Sequence, residues 1–281
     1  MGIFRSLSKN KPKGNLVEEH FNRGNVYYEQ GNIDRAIKEY IKAMKIDADY
    51  PDLHYNLGLS YYAKGKLDEA IEEYKKAITI NAEHEAAHNN LGLIYYERGR
   101  IDEAIEEYKK AITINPNDAE AHNNLGISYY DQYEPDEAIK EYKKAITINP
   151  NDDSAHSNLG VVYYDQDEID EAIKAYKEAL RINPNNDSAH YNLGRAYYDQ
   201  DDLDEAIEEY KKAIRINPNS DMAYLKLGKA YYDQEKLDEA VKVYWEAVRI
   251  NPNHENDLDF CLAASAYACK LSGIDVFKDQ E

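Results

Sequence analysis

The chain has 281 residues with a formal net charge of −20, and 43% of them are hydrophobic. The charge is uneven: the first 14 residues carry Arg5, Lys9, Lys11 and Lys13 and no acid, so the remainder holds 30 basic against 54 acidic residues. Such a body repels nucleic acid, whose affinity comes from neutralising phosphates with lysine and arginine, and four tail charges are too few for a nucleic-acid module.

Residues 1–16 read as a basic, flexible N-terminal tail. Met1-Gly2-Ile3-Phe4-Arg5-Ser6 matches the myristoylation pattern, with Gly2 as the acceptor and the basic cluster as the second signal that stable anchoring requires. The same residues also read as a plain linker, or as a short amphipathic anchor through Ile3, Phe4 and Leu7, so weak membrane contact through residues 1–13 is an expectation. No apolar run reaches 18 residues and the N-terminus lacks the apolar stretch of a signal peptide, which predicts a cytoplasmic protein. Cys261 and Cys269 lie eight residues apart in one predicted helix, about 12 Å along its axis and beyond disulfide reach, as in a reducing compartment.

From Val17 the chain repeats one pattern at a fixed 34-residue period. The third copy carries Leu91, Gly92, Tyr95, Ala104, Tyr108, Ala111 and Pro116; the fourth carries Leu125, Gly126, Tyr129, Ala138, Tyr142, Ala145 and Pro150. A period of this length predicts a solenoid, in which each unit buries its apolar face by stacking on its neighbours. Leu57 and Tyr61 lie one turn apart on a first helix, and Ala70, Tyr74 and Ala77 mark one face of a second. Asp68 and its equivalents Asp34, Asp102, Asp136, Asp170, Asp204 and Asp238 are expected to cap the second helix. Asn-Pro pairs from Asn115-Pro116 to Asn251-Pro252 end it. The turn glycines Gly31, Gly65 and Gly99 become Tyr133, Asp167, Asp201 and Glu235 in later copies. If the turn keeps a left-handed residue, each replacement costs on the order of 1 kcal/mol.

These residues closely resemble the tetratricopeptide repeat, a helix-turn-helix unit. The resemblance covers seven units, 17–50, 51–84, 85–118, 119–152, 153–186, 187–220 and 221–254. It implies an all-α, right-handed α-α superhelix whose first helices line a concave wall. Residues 255–281 follow as a capping helix and tail. From Leu258 to Cys269 that helix carries a single charge, Asp259, so its apolar residues call for cover by Ile274, Val276 and Phe277 or by a second copy of the chain.

His84-Glu85-Ala86-Ala87-His88 matches the zinc-protease pattern H-E-x-x-H, but the repeat frame puts His84 in a loop and makes the match an accident of one residue. His20, His54, His88, His122, His156 and His190 recur at the repeat period. Equivalent side chains on stacked helices lie about 8–10 Å apart, too far to share an ion, so these histidines are expected to be structural and no metal or cofactor is predicted.

A third row, Asn22, Asn56, Asn90, Asn124, Asn158 and Asn192, is continued by Lys226. Each carboxamide offers donors and an acceptor to a peptide backbone, and by position the row is similar to the asparagine ladder in the tetratricopeptide superhelix of the O-linked N-acetylglucosamine transferase. The bland alternative is a row that meets only water. Beside it run an apolar row (Leu59, Leu93, Ile127, Val161) and an aromatic row that includes Tyr62, Tyr96, Tyr130 and Tyr164. An acidic row includes Asp131, Asp165 and Asp199, and a late basic patch consists of Arg195, Lys226 and Lys229. The family's chaperone-binding carboxylate clamp is absent from the first three units, where Phe21, Ala86 and Asn90 stand in place of its cationic residues. The 27 residues after the repeats cannot hold a transferase domain. The reading is a non-enzymatic scaffold for a protein or peptide partner bound extended in the groove. A self-assembling protein, a homo-oligomer through the solenoid ends and the C-terminal helix, is the alternative.

Overall fold

The computed structural model describes residues 13–256, 261–265 and 267, which are almost wholly helical and contain no strand. The helices run α1 (Lys13–Glu29), α2 (Ile33–Met44), α3 (Pro51–Ala63), α4 (Leu67–Ile80), α5 (Glu85–Glu97), α6 (Ile101–Ile114) and α7 (Ala119–Asp131). They continue with α8 (Pro135–Ile148), α9 (Asp153–Asp165), α10 (Ile169–Ile182), α11 (Asp187–Asp199), α12 (Leu203–Ile216), α13 (Asp221–Asp233) and α14 (Leu237–Ile250), then a 3₁₀ turn, Pro252–Asn256. Two compact units divide the chain, one ending at Glu134 and the other beginning at Pro135.

In the first unit α1/α2, α3/α4 and α5/α6 pack as consecutive pairs, with α7 against α6. Ala70, Tyr74 and Ala77 of α4 are fully buried, and so are Ala104, Tyr108 and Ala111 of α6, because spacings of four and three put each trio on one stripe. The tyrosine needs a close neighbour without a side chain: a Cβ at Gly58 would stand 2.5 Å from the Tyr74 ring. The second unit repeats this in α9/α10, α11/α12 and α13/α14 with Tyr176, Tyr210 and Tyr244 buried, and a Cβ at Gly160 would meet Tyr176 at 2.6 Å. Between pairs, lysines stack on tyrosines of the next first helix: Lys75 lies 5.7 Å from the Tyr95 ring centre and Lys177 5.2 Å from that of Tyr197.

The turn keeps its left-handed residue whatever its identity. Gly31, Gly65 and Gly99 have φ of 73°, 69° and 70°; Tyr133, Asp167, Asp201 and Glu235 have 60°, 63°, 64° and 59°. The aspartates expected to cap the second helices do something else. The helices begin two residues earlier, with Lys66 and Arg100 as N-caps whose side chains make no capping bond, so Asp68 and Asp102 sit in the first turn. There they favour the helix dipole and accept from the next repeat: Arg98 donates to Asp68 at 2.6 Å and Gln132 to Asp102 at 2.5 Å. The side-chain caps belong to the first helices, where Asp118, Asp152 and Asn186 accept backbone N–H groups.

Near the C-terminus Ala263 is buried against Ala240, Tyr244 and Val248, while Cys261 and Leu262 are exposed. Gly2 and the rest of residues 1–12, Leu258, Cys269 and the tail from Ile274 to Phe277 lie outside the described residues. Among the described residues no helix is long and apolar enough to cross a membrane.

Candidate functional site

The recurring histidines bind their own repeats together. His54 Nδ1 lies 2.6 Å from Glu73 Oε2 and His54 Nε2 lies 2.9 Å from the Ala48 carbonyl. Lys76 donates to the same glutamate at 2.9 Å. The triad recurs as His20–Glu39–Lys42, His88–Glu107–Lys110 and His190–Glu209–Lys212. Burial pushes the Glu73 carboxyl up, but the hydrogen bonds from His54 and Lys76 outweigh it and the net pKa is lowered. The hydrogen bond to Glu73 raises His54 against the opposing effect of burial.

The zinc-protease pattern dissolves in this geometry. His84 is the N-cap of α5, its Nδ1 accepting the Ala87 N–H at 3.2 Å and its Nε2 facing Asp52 at 3.3 Å. His88 is held by Glu107 at 2.6 Å and by the Ala82 carbonyl at 3.2 Å. The two rings serve different partners. Among the described residues no group of three or more histidine, cysteine or carboxylate side chains could hold a metal ion.

On the first-helix wall of the first unit, Asn22 is exposed, whereas Asn56, Asn90 and Asn124 are half-buried rather than open to water as expected for a free ladder. Each donates to the preceding repeat: Asn56 to Asn25 at 2.9 Å, Asn90 to the Tyr55 hydroxyl at 3.1 Å and Asn124 to Asn89 at 3.3 Å. The amides are therefore rungs between repeats as well as wall residues. Leu59, Leu93 and Ile127 are half-buried beside them, with Tyr62, Tyr96 and Tyr130 along the edge. Tyr62 donates its hydroxyl to Glu97 of the next repeat, and Tyr96 donates to Asp131 at 2.6 Å. The Tyr62 hydroxyl is pushed up to about 12, first by that carboxylate and then by burial. Burial leads for Tyr96, also pushed up to about 12.

The wall of the second unit keeps the frame and changes the charge. Asn158, Asn192 and Val161 are half-buried, and Asp165 and Asp199 are exposed. Tyr164 donates to Asp199, and Tyr198 to Asp233. Arg195 lies over the Tyr164 ring at 4.4 Å and near Tyr191 at 5.9 Å, so part of the late basic patch is held against aromatic faces. Lys226 and Lys229 are half-buried on α13.

Two features went unread in the sequence. The histidine-glutamate pairing was visible as a constant separation of 19 residues, which places the two on facing helices of one unit. The tyrosine-carboxylate pairing was visible as a separation of 35, one repeat plus one residue.

A family model described as TPR repeat matches residues 24–65, 58–97, 92–132, 134–167, 162–201 and 194–234, and one described as tetratricopeptide repeat matches 222–254. No curated protein matches the sequence. Among solved structures, pilF of Pseudomonas aeruginosa aligns with a TM-score of 0.70 and 23% identity over 79% of this chain and 100% of that one. MamA aligns at 0.55 and 34% identity over 58% of this chain and 95% of its own. YrrB, described as a TPR protein with an unusual peptide-binding site, aligns at 0.56 and 22% identity over 70% of this chain and 97% of its own.

Proposed function

The chain belongs to the tetratricopeptide repeat family, and from that premise we propose that it is a non-enzymatic interaction scaffold whose first-helix walls hold an extended peptide segment of a partner protein. The observation that carries this reading is the amide row itself. Asn56, Asn90 and Asn124 recur at the repeat period, each beside an apolar side chain (Leu59, Leu93, Ile127) and a tyrosine. An asparagine carboxamide offers two donor hydrogens and an acceptor, more than its one bond to the preceding repeat uses. A row of such groups beside apolar pockets suits an extended backbone, with amides gripping the main chain and pockets reading alternate side chains. That YrrB, of the same fold, is described by a peptide-binding site supports the reading.

The test is replacement of Asn90, Asn124 and Asn158 by Ala, with binding measured against degenerate dodecapeptide libraries on the immobilised full chain. Each lost hydrogen bond contributes about 0.5–1.5 kcal/mol, so affinity should fall roughly tenfold or more. Retention of the libraries by the triple variant at the wild-type level would refute the assignment. Because Asn90 and Asn124 also bridge repeats, a modest loss of stability should accompany the loss of binding.

A further inference from the structure

The tyrosine-carboxylate ladder of the first unit has a break, and the break opens a pocket. In the third and fourth repeats the carboxylates Glu97 and Asp131 each receive a tyrosine hydroxyl from the repeat before. Glu29 occupies the same place in the first repeat, where no earlier repeat exists to supply a tyrosine. The second repeat carries Ala63 in that place, so Tyr28 meets no carboxylate of the kind that Tyr62 and Tyr96 meet. Where the rung is missing lies a hollow of about 200 Å³ lined by Asn25, Tyr28, Glu29, Tyr40, Asn56 and Leu59. Among the described residues no lysine or arginine pairs with Glu29.

We propose that this hollow takes a lysine or arginine side chain of the bound peptide and sets the cationic register of the partner; the inference rests on the groove reading above. The lining divides the work. Leu59 and the Tyr28 ring offer apolar faces to the methylene stem, which long cationic side chains lay along apolar surface. The exposed Glu29 carboxylate offers a charge-assisted acceptor to the head group, and the tyrosine face adds cation attraction. The polar floor is already satisfied within the wall: Asn25 Oδ1 accepts from the Tyr40 hydroxyl at 2.8 Å and from Asn56 at 2.9 Å, which uses both its lone pairs. A neutral polar guest therefore gains little from Asn25. The Tyr40 hydroxyl is pushed up to about 12, chiefly by burial and then by neighbouring Tyr28 and Glu29, consistent with a negative field in the hollow. The same place on the first helices of the third and fourth repeats carries Glu97 and Asp131, so the wall of this unit is acidic beyond the hollow. The strongly acidic body steers a basic segment toward this surface at low salt.

The experiment pans the immobilised full-length protein with four degenerate dodecapeptide libraries that differ only in a fixed central residue: Lys, Arg, Gln or Glu. The expected result is retention of the Lys and Arg libraries about five- to tenfold above the Gln library, the scale of one charge-assisted hydrogen bond, with the Glu library lowest. Glu29→Gln should erase that preference while leaving the thermal melt unchanged. Leu59→Arg, which places a cation in the hollow, should erase it as well. Equal retention of the four libraries, or a preference unaltered by Glu29→Gln, overturns this inference and leaves the groove reading intact. Failure to retain any library overturns both. Selective retention that appears only after deletion of residues 1–12 would assign the hollow to the chain's own basic tail and overturn the proposal for a partner.

Discussion

His54 of α3 and Glu73 of α4 stand 2.6 Å apart in a buried contact that joins the two helices of one repeat. The imidazole also faces the Ala48 carbonyl with its second nitrogen, so a single side chain ties helix to helix and helix to the loop before it. Glu73 stays ionised to lower pH than a free glutamate, and His54 stays protonated to higher pH than a free histidine. The stabilising contribution of Glu73 is present above about pH 4.5 and is lost as pH falls; that of His54 is present below about pH 6.5 and is lost as pH rises through its folded pKa. The pair therefore stabilises most between those values. Glu73→Gln should lower stability by about 1–3 kcal/mol near pH 5.5 and by less at pH 3.5 and pH 8.5, read as denaturant midpoints at the three pH values.

The fifth repeat lacks this tie, because Ala175 stands where the glutamate should be and Glu178 where the lysine should be. His156 keeps its bond to the Pro150 carbonyl at 3.2 Å, but the alanine side chain at 175 offers it no carboxylate. A hollow of about 580 Å³ lined by Leu159, Tyr163, Lys174 and Ala175 marks the place. Ala175→Glu combined with Glu178→Lys should restore the triad and raise stability by about 1 kcal/mol. The gain should vanish when His156→Gln is added, which a thermal melt of the three variants checks.

The left-handed turns give a third prediction. Gly65 has no atom within 4 Å of an added Cβ, so a side chain there is disfavoured by backbone conformation and not by crowding. Tyr133→Gly and Glu235→Gly should each stabilise by about 0.5–1 kcal/mol. Asp167→Gly and Asp201→Gly should gain less, since aspartate tolerates this conformation better than most residues. Gly65→Ala should lose about 1 kcal/mol. Chemical denaturation of the single variants orders them.

A carboxyl pair supplies the fourth. Glu85 is pushed up to about 7, first by its hydrogen bond to Asp118 and then by burial. The folded state then holds a proton that the unfolded chain releases near pH 4.5, so stability falls as pH rises from about 4.5 to about 7. The second unit shows the relief: Asn186 takes the place of Asp118 and donates to Asp153, the counterpart of Glu85, at 3.1 Å. Asp118→Asn should keep the helix cap, remove the repulsion and flatten the decline in melting temperature between pH 5 and pH 8.

The sequence alone determined the repeat, its 34-residue period, the two helices of each unit and the buried stripe of Ala70, Tyr74 and Ala77. Those follow from local spacing, and a stripe at three and four residues can face only one way. It also determined the left-handed turn, because three glycines at one place state a backbone requirement that Tyr133 and Asp167 inherit. Tertiary structure decided what the long polar side chains do. Asp68 lies one residue inside its helix and serves Arg98 of the next repeat, and Asn90 bonds across to Tyr55. The partners belong to neighbouring repeats, 30 and 35 residues away in sequence, and are adjacent only after stacking. Local pattern cannot choose among water, cap and neighbour for such a group; the approach of the next helix does, because it takes the water away and leaves one partner within reach.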